Sequence, residues 1–255
     1  MAEEHENAVT ESAGNDASPE EERVERAMND RETLEALVED LSDRSRRTRQ
    51  LSAHVIELVT ERDPELLAPY IPELIDALER PEAQTRWEVL DALTALTSTH
   101  ARECGPAFEG AEDALFDELS APLHLSAFRF LTVWGSSERR RSEKVWPVLD
   151  EAIQCYHGDL EYRDMLSLLH DFAEGRISGN VADQLACRLK FDAENGKGAS
   201  IKSRSREIYD MLVKRFRLDS PQRVAAREAR QAEAGIKTQD TDQDDEEDGD
   251  DDGDA

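Results

Sequence analysis

One pattern of apolar residues returns along the chain at nearly constant spacing. Leu37 and Leu41, the Thr48-Arg49 pair, Ala53 and Ile56 recur 37 residues later as Leu74, Leu78, Thr85-Arg86, Leu90 and Leu93. A further step of 41 gives Leu115, Leu119, Ser126-Ala127, Leu131 and Trp134, and one of 34 gives Leu149, Ile153, Leu160-Glu161, Met165 and Leu168. A fifth unit is looser: Leu185 and Leu189 match, but extra residues around Phe191–Ser200 precede Ser203-Arg204, Ile208 and Met211. The position after the Thr-Arg pair runs Gln50, Trp87, Phe128, Tyr162, aromatic in three consecutive units, and reads as a core column. Units of this length, each a helix, a turn and a second helix, cannot bury an apolar stripe alone. They must stack on their neighbours, which is the design of an α-solenoid.

Apolar residues recur at three- and four-residue intervals throughout the middle of the chain, with no sustained strand-like alternation. Pro64, Pro81, Gly105-Pro106, Pro122, Gly135, Pro147, Gly158 and Gly175 punctuate it into helix-length segments. Pro81 and Pro122 take the turn inside a unit, and Pro72 and Pro147 the start of a first helix. The expected class is all-α. Ser18-Pro19-Glu20-Glu21 reads as a helix start, with a hydroxyl cap, proline in the first turn and acids complementing the dipole. The expected organisation is a disordered acidic segment over 1–17, a repeat domain over 18–218, a short helix within 219–234 opened by Ser220-Pro221, and a disordered acidic tail over 235–255.

Leu37-Val38-Glu39-Asp40-Leu41-Ser42-Asp43, followed by Thr48-Arg49 and Ala53, resembles the HEAT-repeat consensus of armadillo-type solenoids. Leu74–Leu93 resembles it too, with Glu82 in place of the turn aspartate, whereas Ala127 and Glu161 replace the arginine in later units. The resemblance covers roughly residues 31–213 and implies a short right-handed solenoid of about five HEAT-like hairpins. It also implies a ladder in which turn acids (Asp43, Glu82) meet second-helix arginines (Arg49, Arg86). An arginine at a helix N-terminus opposes the macrodipole and needs such compensation. Fold alone does not determine function.

The formal charge of −28 is concentrated at the ends. Residues 1–30 carry 10 acidic and 2 basic groups and residues 219–255 carry 14 and 4, leaving the middle at −10. Such a field disfavours a simple nucleic-acid or anionic-membrane binder. No run approaches the roughly 18 apolar residues of a membrane helix, and the N-terminus lacks the basic and apolar regions of a signal peptide. Cys104, Cys155 and Cys187 form no CxxC pair, so a cytoplasmic protein with free thiols is expected.

First helices are acidic (Glu35, Glu39; Glu73, Asp76; Glu112, Asp117; Asp150, Glu151), whereas second helices and their entry turns hold much of the base. The resemblance implies that second helices line the inner wall. Arg46, Arg47, Arg129, Arg163, Arg204 and Arg206 are therefore the candidate binding residues of a basic concave edge suited to carboxylates of a protein or extended peptide. Ser137–Arg141 is a second basic cluster, expected in a connection. The expected function is an interaction scaffold with no catalytic residue, cofactor or metal. Ala193–Gly198 departs from a phosphate-binding loop at its first glycine and after its lysine, and His100/Cys104 and Cys155/His157 lack partners for a metal site. His170-Asp171 reads as a surface pair. A repeat-based lyase or glycosylase would need convergent ionisable groups in a pocket. The alternative is a nucleic-acid-binding repeat protein whose acidic tail occupies the basic edge. Trp87-x3-Asp91 with Arg129 resembles the arrangement in HEAT-like DNA alkylation-repeat glycosylases. The core column argues against it, and Trp87→Ala is then expected to cost about 3–5 kcal/mol through cavity formation.

Overall fold

A computed structural model of the chain describes residues 18–117, 120–220 and 223–224. The expectations for residues 1–17, Glu118, Leu119 and the tail lie outside the described residues, as does most of the 219–234 segment. Among the described residues all regular structure is helical: α1 (Pro19–Asn29), α2 (Arg31–Asp40), α3 (Arg46–Arg62), α4 (Ile71–Asp76), α5 (Ala83–His100), α6 (Phe108–Leu115), α7 (Ala121–Ser136), α8 (Arg139–Cys155), α9 (Tyr162–Glu174), α10 (Gly179–Asn195) and α11 (Ala199–Phe216). Short 3-10 stretches, Pro64–Tyr70 and Ala77–Glu79, flank α4. From α2 onward the helices alternate as first and second members of five hairpins, with α1 packed on α2 and α3 ahead of them. None is long and apolar enough to cross a membrane.

Local chemistry explains where helices begin. Ser18 Oγ accepts the Glu21 N–H at 3.1 Å, and Asp30 accepts from Glu32 and Thr33 as α2 starts. Ser45 caps α3 through the Thr48 N–H, and Ser178 caps α10 through that of Val181. The chain divides into two compact units, residues 1–130 and 131–255, the division falling within α7.

The repeat columns form the core of each unit. In the first, Leu41, Leu74, Leu78 and Leu115 of the first-helix column and Ala53, Ile56, Leu90 and Leu93 of the second are buried. In the second unit the same holds for Leu149, Ile153, Leu185 and Leu189, and for Leu131, Met165 and Ile208. Leu37, Leu168 and Met211 are only half-buried, each beside a buried neighbour on its helix.

Punctuation misplaces three boundaries. Pro147 lies within α8 rather than at its start, so Arg139–Arg141 form the first turn of a helix instead of a connection. There Arg141 takes Ser137 Oγ at 2.8 Å and stacks 5.5 Å from the Trp134 ring. Gly135 also lies inside a helix, α7: a Cβ there would sit 2.4 Å from Val145 Cγ2 and 3.2 Å from Phe172. The extra residues of the fifth unit lengthen α10 and leave only Gly196–Gly198 as a turn, with Gly198 at φ +98°.

A buried ion pair links the first two hairpins. Arg49, on the first turn of α3, donates through Nε to Glu82 Oε2 at 3.0 Å and through Nη2 to Oε1, with its remaining arm on the Asp43 carbonyl. Their side chains are 12% and 7% exposed, so either group alone would be a buried, unpaired charge. The next hairpin repeats the pattern with an acid outside the expected set: Arg86 Nη1 reaches Oδ2 of Asp117, in the turn between α6 and α7, at 3.0 Å.

Arg49→Ala strands Glu82 and is expected to cost about 3–5 kcal/mol in urea denaturation, while Arg49→Met with Glu82→Leu recovers most of the loss. The hydrogen bond from Arg49 holds the Glu82 carboxyl below its ordinary 4.5. Its contribution is therefore complete above pH 4.5 and lost as pH falls through the depressed value. The stability difference between wild type and Glu82→Gln should shrink across that acid window, measured by denaturation at stepped pH.

Candidate binding face on the second helices

Spacing along α3 and α5 creates an acidic face in the first unit. His54, Glu57 and Glu61 stand at i, i+3 and i+7 on α3, and Gln84, Glu88 and Asp91 at i, i+4 and i+7 on α5. Each set therefore shares one side of its helix. Because α3 packs along α5, the two stripes converge. His54 Nδ1 lies 3.2 Å from Glu88 Oε1 and 3.7 Å from Glu57 Oε2, and its Nε2 lies 3.4 Å from Glu20 of α1. Gln84 Nε2 donates to Glu88 Oε1 at 3.0 Å. From α7, Ser126 Oγ donates to Asp91 Oδ2 at 2.9 Å and Arg129 Nη1 to Oδ1 at 3.2 Å.

Burial sets the electrostatics. Side-chain exposure is 4% for Glu88, 18% for Asp91 and 22% for Glu57. Desolvation, joined by the charges of Asp91 and Glu88, pushes the Glu57 carboxyl up to about 7. Burial likewise raises Glu88, and raises Asp91 despite the opposing pull of Arg129 and Ser126. The carboxylates repel one another in a partly dry setting, and His54 and Arg129 offset only part of that charge.

The arginines expected to form a basic edge have varied settings. Arg46 and Arg47 are exposed on the first turn of α3, and Arg47 borders a cleft of about 420 Å³ with Arg23 and Arg26. Arg129 is committed to Asp91. In the second unit Arg163 is exposed on α9, while Arg204 pairs with Glu207 at 2.9 Å and Arg206 donates to the Ala193 carbonyl at 3.1 Å. In the first unit, then, the second helices present carboxylates beyond the exposed Arg46 and Arg47 of the α3 entry turn. Their first-helix counterparts are acidic as well: Glu35, Glu39, Glu73 and Asp76 rim a cleft of about 460 Å³ floored by Val38 and Leu41.

Trp87 corrects the core column. Phe128 and Tyr162 are fully buried, but Trp87 is half-buried and lies one turn before Asp91, on the same side of α5. The structure thus brings Asp91 to Arg129, with Trp87 nearby in sequence, in surroundings dominated by acid. The histidine pairs suggested by spacing find other partners. His100 meets Glu65 at 2.9 Å, and Cys104 is buried against the Leu93 carbonyl. His157 meets Asp192 at 3.0 Å, where Asp192 also accepts the Tyr162 hydroxyl at 2.7 Å. Burial and that carboxylate hold the Tyr162 phenol protonated. His170 lies 3.3 Å from Asp171 and 3.6 Å from Glu207 of α11.

No protein-family model matches the sequence, and no curated protein matches it. Solved structures do. A designed armadillo repeat protein in complex with the peptide (KR)4 superposes with a TM-score of 0.60 at 12% identity, over 76% of this chain and 91% of that one. The fold is that of an armadillo-type α-solenoid. A second designed armadillo repeat protein gives a TM-score of 0.57 at 12% identity over 75% and 90% of the two chains, and an engineered protein 0.59 at 13% over 76% and 90%. At such identities the solenoid likeness concerns backbone architecture and carries no site residue across.

Phe128→Ala is expected to destabilise the solenoid by about 3–5 kcal/mol. Trp87→Ala should cost distinctly less, because part of the indole already meets water. Paired urea denaturation curves check the ordering.

Proposed function

We propose that the protein is an interaction scaffold that holds a Lys/Arg-rich peptide or protein segment on the second-helix face of its first unit. Glu57, Glu61, Glu88 and Asp91 would accept its cations. The observation that carries this reading is the set of converging carboxylates on α3 and α5, three of them largely withdrawn from water, with their carboxyls raised above the ordinary range by that burial. A face in that condition gains from a guanidinium or ammonium group, which both relieves the mutual repulsion and forms charge-assisted hydrogen bonds. Trp87, partly open and one turn from Asp91, offers an aromatic surface to the same side chains. The (KR)4 peptide held by a designed armadillo repeat protein of similar architecture supports a basic, extended partner.

The test is fluorescence anisotropy of labelled (KR)4 with the full-length protein and with Glu57→Gln/Asp91→Asn. Loss of two charge-assisted contacts should weaken binding at least about tenfold, with a steep salt dependence in the wild type. The acidic termini are common to both proteins, so the difference reports on the face. Equal affinities would overturn the reading. Preference for an acidic peptide, lost on reversing Arg46, Arg47 and Arg163, would favour the basic edge instead.

A further inference from the structure

Part of the acidic face is organised more closely than attraction of a flexible basic chain requires. His54 and Glu57 stand one turn apart on α3, Glu88 enters from α5, and one donor atom from each lies within 4.8 Å of the others. The two separations from His54 Nδ1, 3.2 Å to Glu88 and 3.7 Å to Glu57, bracket the donor–donor edge of about 3.4 Å set by a tetrahedral zinc ion with ligand bonds of about 2.0–2.2 Å.

An orphaned atom points the same way. Glu88 is 4% exposed at its side chain; its Oε1 faces His54 and takes the Gln84 amide, and the second oxygen of the same carboxylate, Oε2, is buried with no hydrogen-bond partner. An anionic oxygen in that position is costly unless a cation meets it. The surrounding groups complete the logic. Glu20 Oε2 stands 3.4 Å from His54 Nε2, placed to take the Nε2–H once Nδ1 turns its lone pair to a cation in place of its contact with Glu88. One imidazole with two carboxylates suits a borderline first-row ion. Calcium takes six to eight oxygens, and magnesium prefers to keep its water.

We propose that His54, Glu57 and Glu88 bind one zinc-class divalent cation, with a fourth coordination position left to water or to a donor from a partner. The site uses carboxylates assigned above to a basic peptide but does not rest on that assignment. It is tested with metal alone, so failure of peptide binding leaves it standing.

Titration of the full-length protein with Co2+, read by visible absorption, is expected to show one saturable equivalent with the intense bands of a four-coordinate site, displaced by Zn2+. His54→Ala and the isosteric Glu88→Gln should each abolish that component. Gln84→Ala, which removes a supporting contact, should weaken it about tenfold to a hundredfold. Zinc should raise the unfolding midpoint of the wild type and leave that of His54→Ala unchanged. The acidic termini supply weak background sites in every variant, so the difference between proteins is the signal. The proposal is overturned by a wild type lacking the saturable equivalent, or by its survival in both His54→Ala and Glu88→Gln. Calorimetry with Zn2+ and circular dichroism of each variant confirm that the comparison is made on folded protein.

Discussion

The apolar seam between consecutive hairpins is the constraint on which the rest depends. No described hairpin is large enough to shield its own stripe, so α3 and α5 share one, as do α9 and α11. Burial of Ile56, Val59, Val89 and Leu93 draws α3 and α5 together, and each fully buried aliphatic side chain contributes about 1.5–3 kcal/mol. Everything polar on those helices is carried along. The Arg49–Glu82 pair and the convergence of His54, Glu57 and Glu88 are consequences of a register set by hydrocarbon.

That division of labour explains why an electrostatically unfavourable arrangement persists. Glu57, Glu88 and Asp91 disfavour their own ionisation where they stand, and only a seam of ample apolar area could hold them so. Local departures from the most stable choice mark places where a fold serves something besides its own stability. In the second unit, by contrast, the Tyr162–Asp192–His157 network satisfies its members internally, as befits a polar group that locks helices together.

Much of the architecture was legible in the residues themselves. The recurring offsets located five hairpins because stacking demands that the same positions be apolar in each, and buried Leu74, Leu90, Leu149 and Leu185 bear this out. Boundaries were less readable. Pro147 suits the first turn of a helix, yet α8 continues through it, and Gly135 reads as a break although packing, not chain reversal, demands it. The acidic face was hidden for a different reason. His54 and Glu88 are 34 positions apart and meet only through the stacking register of neighbouring hairpins, which composition by helix does not report. Averaging charge over whole second helices drew attention to arginines at their entry turns and away from the carboxylates one or two turns further on. Trp87 shares an alignment column with Phe128 and Tyr162, but a column fixes position within the repeat, and burial depends also on what the next repeat supplies.

Gly135 carries a consequence of its own. Where α7 passes Val145 and Phe172, a hydrogen atom is all that the backbone presents, and Ser136 just beyond it is seated against Gly175 and accepts the Arg176 N–H at 2.6 Å. Two glycines on different helical segments thus set the gauge of this junction, much as a shim sets the gap between machined parts. A methyl group at either position would stand 2.4 Å from the side chain opposite, so a change at one glycine forces open the same gap that the other keeps closed.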